Sequence, residues 1–130
     1  MRRPDWPQRL DTVLAAWRTQ PFAWGRYDCA QFALAVLEAV SMRDWGQLEL
    51  PCYTTARGAS RVLKRFDVPH MPALATVLLG APHLPAYAAR GDLVSEGAAL
   101  GVCVGARLLH PGPQGLVALP LSAATACWKI

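Results

Sequence analysis

The constraint that most narrows the fold of this chain is a change of period near its middle. Up to about residue 80 the apolar residues return at every third or fourth position. From about residue 90 they gather into runs of strand length bounded by glycine and proline. Trp6, Leu10, Val13, Leu14 and Trp17 form the stripe of a first helix, with Asp5 as its cap, Pro7 in its first turn and Pro21 at its end. From Cys29, residues Phe32, Ala33, Val36, Leu37 and Val40 describe a second helix with one buried face. Asp44-Trp45-Gly46 breaks that pattern, and Leu50-Pro51-Cys52-Tyr53 reads as an extended connector because a residue before proline avoids the helical region. Thr54 or Thr55 caps a third helix carrying Ala59, Val62, Leu63 and Phe66. A short fourth runs from about Ala73 to Leu79, fenced by Pro69, Pro72, Gly80 and Pro82.

Beyond the proline-rich crossing from Pro82 to Pro85, the strand-length runs are Gly91–Val94, Leu100–Gly105, Ala106–His110, Gly115–Leu119 and Cys127–Ile130. Helices first and strands afterwards predict an α+β domain over residues 1–130, with a helical half of about 1–80 packed on an antiparallel sheet built from about 90–130. With 53% hydrophobic and 17% charged residues, a chain of this size buries a core and stands far from the composition of disorder.

The net charge is +4, yet the cations are scattered except for Arg57, Arg61, Lys64 and Arg65, whose spacing puts them on one face of the third helix. Such a row suits a solvated face or an acidic protein partner. Interleaved aromatics and a recognised binding motif are both missing, which argues against nucleic acid. Arg2 and Arg3 are not followed by an apolar stretch and cleavage site, so no secretory signal is expected, and no run is long enough to span a membrane. Synthesis and folding are therefore expected in the cytoplasm. There Cys29, Cys52, Cys103 and Cys127, without CxxC pairing, are expected to stay thiols; a metal or iron–sulfur site using all four is the alternative.

Cys29 is the residue with the most chemical promise. At a helix start, free N–H groups and the positive end of the helix dipole favour thiolate and lower a cysteine pKa. The plain alternative is a small buried hydrophobe. Asp28 is read as the helix cap, and its charge opposes thiolate formation. Trp24 and Tyr27 either line a groove beside Cys29 or supply core area. Asp92 is read as shaping a turn, and His70 and His83, in proline-rich connectors, receive no role.

Taken in order, Phe22-Ala23-Trp24-Gly25, Asp28-Cys29, Gly91-Asp92-Leu93-Val94, Leu100-Gly101-Val102-Cys103-Val104-Gly105 and His110 resemble the NlpC-type cell-wall cysteine peptidases, a papain-like family that cleaves peptide bonds in peptidoglycan stem peptides. Thr54-Thr55-Ala56-Arg57-Gly58 and Leu119-Pro120-Leu121-Ser122 with Trp128 look closer still to a small uncharacterised family encoded among bacteriophage and prophage tail genes. The resemblance implies a papain-like fold with Cys29 as nucleophile and His110 at the third catalytic position. It also places Leu100 where the base histidine belongs, and leucine accepts no proton. Three functions follow as expectations. The first is a structural or assembly component of a phage tail tip, impaired as a peptidase, made in the host cytoplasm and carried in the virion tail. Its partners are other tail proteins met through Arg57, Arg61, Lys64 and Arg65. The second is an active peptidase or amidase opening peptidoglycan, in which His110 reaches Cys29 directly. The third, resting only on the basic balance and the Arg57 to Arg65 cluster, is a regulatory nucleic-acid binder. Neither of the first two calls for a cofactor or metal.

Overall fold

The computed structural model describes residues 1–46, 48 and 50–130. Four helices come first: α1 (Trp6–Trp17), α2 (Cys29–Val40), α3 (Ala56–Arg65) and α4 (Met71–Leu79). Five strands follow, β1 (Leu93–Glu96), β2 (Ala99–Cys103), β3 (Arg107–Gly112), β4 (Gly115–Pro120) and β5 (Ala126–Trp128), in one antiparallel sheet of order β4-β3-β2-β1-β5. The chain is thus α+β, as the change of period predicts. Among the described residues no helix is long and apolar enough to cross a membrane.

Alternation along the strands sends two sets of side chains to opposite faces of the sheet. Leu93, Leu100, Val102 and Trp128 meet Leu10, Phe32, Val36, Leu37 and Val40 of α1 and α2 in the main core. Val94, Cys103, Leu108 and Cys127 form a smaller core on the other face, covered by Ala88, Leu119, Leu121 and Ala123. The four cysteines are divided accordingly. Cys29 packs against the main core, Cys103 and Cys127 lie across the sheet, and Cys52 is exposed, so the fold does not gather the ligands of a four-cysteine site.

Two local expectations need correction. Asp5 does not cap α1: its backbone (φ −102°, ψ 22°) lacks the extended conformation that capping uses, and Pro7 offers no N–H at the second helical position. Its carboxylate instead accepts from Arg9 Nε at 2.9 Å. The fourth helix starts at Met71, two residues early, because Pro72 is tolerated in a first turn and His70 caps it. At the third helix, Thr55 is the cap, its Oγ1 accepting from the Gly58 N–H at 3.0 Å. Asp92 does more than shape a turn. Buried at the entrance to β1, it accepts from Arg2 Nη2 at 2.7 Å, Lys129 Nζ, and the backbone N–H groups of Ala89 and Ile130, joining both ends of the chain to the sheet.

Candidate functional site

Cys29 is the first residue of α2, and what holds it there is Asp28. The Asp28 backbone is extended (φ −105°, ψ 177°), and Oδ1 accepts from the Gln31 N–H at 2.9 Å, the geometry of an N-cap. Oδ2 accepts from the Gly25 N–H at 2.8 Å and from the Tyr53 hydroxyl at 2.6 Å. One buried carboxylate therefore ties the Trp24-Gly25 loop and the Tyr53 connector to the start of α2. Gly25 has φ +79°, and a Cβ there would collide with the Tyr53 carbonyl oxygen, so glycine is required for the close approach.

These ties leave Cys29 in a cleft of about 270 Å³ walled by α3, α4, the Tyr53 connector and Ala98 of the β1–β2 turn. Trp24 lines it, 41% exposed and edge-on to Phe22 with ring centroids 4.9 Å apart. Tyr27 does not. Its ring meets Trp17 edge-on at 5.1 Å, with Arg26 over it, so of the two aromatics only Trp24 belongs to the groove.

The expectation of a lowered Cys29 pKa is overturned. Burial pushes the thiol above its ordinary value; backbone N–H groups of Leu100, Cys29 and Ala30 pull the other way, and the Asp28 charge adds to the rise. The helix start contributes what was expected of it, but desolvation is the larger effect, so Cys29 is a neutral thiol at physiological pH.

Leu100 is on β2 beside Cys29, with its backbone N–H toward the sulfur. Its side chain, 2% exposed, enters the main core among Ala30, Ala33 and Leu37. His110 lies on β3 opposite Val117, and its Nδ1 donates to the Pro111 carbonyl oxygen at 2.9 Å. Among the described residues no hydrogen bond joins His110 to Cys29, and His110 does not line the cleft.

The histidine that does line the cleft is His70, for which the sequence suggested no role. Its Nδ1 accepts from the Ala73 N–H at 3.1 Å to cap α4. With Nδ1 accepting, the ring proton is on Nε2, which makes that nitrogen a donor and not a base. The signal that was available is Pro72, a proline in a first helical turn, which points to the residue just before the helix as its cap.

Arg57, Arg61, Lys64 and Arg65 are exposed on α3. Among the described residues the ion pairs lie elsewhere, joining Arg2 and Lys129 to Asp92, Arg9 to Asp5, and Arg90 to Asp11. Two further thiols are donors, Cys103 Sγ to the Gly105 carbonyl at 3.4 Å and Cys127 Sγ to that of Leu84 at 3.3 Å.

The chain belongs to a family described as a Domain of unknown function (DUF6950), whose model matches residues 1–130. No curated protein matches it, and neither does any solved structure.

Proposed function

We propose that this chain is a catalytically silent module of papain-like, NlpC-type fold that serves as a structural or assembly component of a bacteriophage tail tip. The observation that carries the silent-module reading is the pairing at the site. A half-buried, neutral Cys29 faces the backbone of Leu100, whose side chain is in the core, at the position where the resemblance calls for a base. A peptidase of this kind needs one group to take the thiol proton and return it to the leaving amine, a contribution of roughly 100- to 10,000-fold. Leu100 supplies neither step. The phage assignment is supported by the resemblance of Thr54–Gly58 and of Leu119–Ser122 with Trp128 to tail-gene products, and the docking role by the exposed α3 cations.

The second reading, an active peptidase, draws on one observation: His70 shares the cleft with Cys29. While it caps α4 its free nitrogen is protonated, so it would donate to a substrate oxygen and leave the thiol proton in place. The test is to incubate the purified protein with peptidoglycan and follow released fragments, beside a Cys29→Ala phage carrying the same tail. No release and unimpaired virion assembly are expected. Fragment release that disappears in Cys29→Ala would overturn the silent reading and promote the peptidase.

A further inference from the structure

The cleft and the cationic row of α3 meet at one residue. Ser60 is exposed and lines the cleft. On a helix of 3.6 residues per turn its same-face neighbours are the residues three before and four after it, Arg57 and Lys64. Arg57 and Lys64 therefore flank the mouth of the cavity, while Arg61 lies a row further round the helix, away from it. None forms an ion pair with a carboxylate among the described residues. Behind this mouth the lining turns apolar, with Val62, Leu63, Met71 and Leu74 facing the half-exposed Trp24. At its far side the cleft passes His70 and Ala98, which also border a second hollow reaching Thr125 and Trp128 of the β5 edge. The result is a groove much longer than one side chain, with an apolar seat at one end and positive charge along its lip.

Resting on the reading of the chain as a silent docking module, we propose that this groove binds an extended segment of a partner protein, seating an apolar anchor side chain above Cys29 and pairing its carboxylates with Arg57 and Lys64. The charge pattern selects the occupant. An apolar anchor alone gains nothing from the cations, and a polyanion alone leaves the apolar seat empty; a peptide that is apolar and then acidic uses both. The about 270 Å³ cavity is at the small end of ligand sites, the scale of an anchoring side chain and not of a whole cofactor. Desolvated anchors of this kind supply most of the energy of an interface, while the rim charges orient and speed docking.

The experiment selects from a random linear peptide library displayed on phage, using the immobilised full chain, and measures the enriched peptides, resynthesised with a fluorescent label, by anisotropy. Enrichment of sequences with an aromatic or aliphatic residue followed by Asp or Glu is expected. Two variants read the two halves of the groove, each first checked for an unchanged far-ultraviolet spectrum and melting temperature. Arg57→Glu with Lys64→Glu should weaken binding about tenfold or more and remove its salt dependence, and Ser60→Trp, which blocks the cleft mouth, should weaken it on the same scale. Bound peptide should also shield Cys29 from iodoacetamide. Failure to enrich any saturable binder overturns the groove and leaves the silent-module reading standing. Binding lost on charge reversal but indifferent to Ser60→Trp and to replacement of the anchor by glycine also overturns it, in favour of a polyanion patch. A peptide that binds and is then cut at Cys29 upholds the groove while overturning the silent reading.

Discussion

Asp28 and Asp92 are buried to the same degree, 1% and 0% exposed, and they keep opposite company. Asp92 is gripped by two cations, Arg2 and Lys129, and by two backbone N–H groups. Burial opposes its ionisation, but the hydrogen bond from Lys129, helped by the N–H groups of Ala89 and Ile130, outweighs it and holds the carboxyl below the usual range. Among the described residues Asp28 is held by neutral donors only, the N–H groups of Gly25 and Gln31 and the Tyr53 hydroxyl. With no cation bonded to it, its charge falls on its neighbours. It raises the Cys29 thiol further above the value that burial has already lifted, and the Tyr53 hydroxyl is pushed well up by burial and then by its bond to Asp28. The same residue type is thus a fastener between chain ends at one site and, at the other, a cap whose charge adds to the burial that keeps a thiol protonated.

The largest expected effect is at the fastener. Asp92→Asn weakens the charge-assisted hydrogen bonds from Arg2 and Lys129, both of which keep some access to water, and should cost about 2–3 kcal/mol in urea unfolding. The native pKa of Asp92 is depressed, so its stabilisation is complete above the ordinary aspartate range near pH 4 and is lost as pH falls through that range toward the lower native value. The acid limb of the stability profile should therefore flatten in Asp92→Asn, while Cys29 alkylation stays as in the native chain. An equal change in Cys29 reactivity would break the separation between the two sites.

Asp28→Asn should do the reverse. The amide oxygen still caps α2 but faces Gly25 and Tyr53 less well, a loss of about 1–2 kcal/mol. Removing the charge should also bring the thiol pKa down, so alkylation of Cys29 at neutral pH becomes faster. Smaller again, Tyr53→Phe removes one hydrogen bond to Asp28 and should cost about 1 kcal/mol with the fold intact.

These contrasts also explain what could be read from the chain alone. The start of α2 was legible because Asp28, Cys29 and the apolar stripe behind them are local signals, and local chemistry decides a helix N-terminus. The strands were legible from Gly97 and Gly105 to within two residues or so at their ends, but Pro111 and Gly112, which suggest a turn, belong to β3, and the chain reverses at Pro113-Gln114. The role of Asp92 was not, since its cationic partners lie 90 and 37 residues away and nothing local announces them. His70 went unread because imidazole capping is a weak propensity and its prolines suggested a connector. The direction of the Cys29 pKa was missed for a related reason: the dipole and N–H groups of a helix start can be read from position, whereas desolvation depends on α3, α4 and the Tyr53 connector closing over the thiol. Of the candidate site, position was legible and electrostatics was not.

The central claim is that Cys29 is a neutral thiol without a base, and its own titration tests this most directly. The rate of Cys29 alkylation by iodoacetamide, followed by mass spectrometry across the pH range in a Cys52→Ser background that silences the exposed thiol, should rise in a single step with a midpoint above that of an unperturbed cysteine. A midpoint near or below neutrality, or a second step at the pH of an imidazole, would show a thiolate–imidazolium pair and contradict the account.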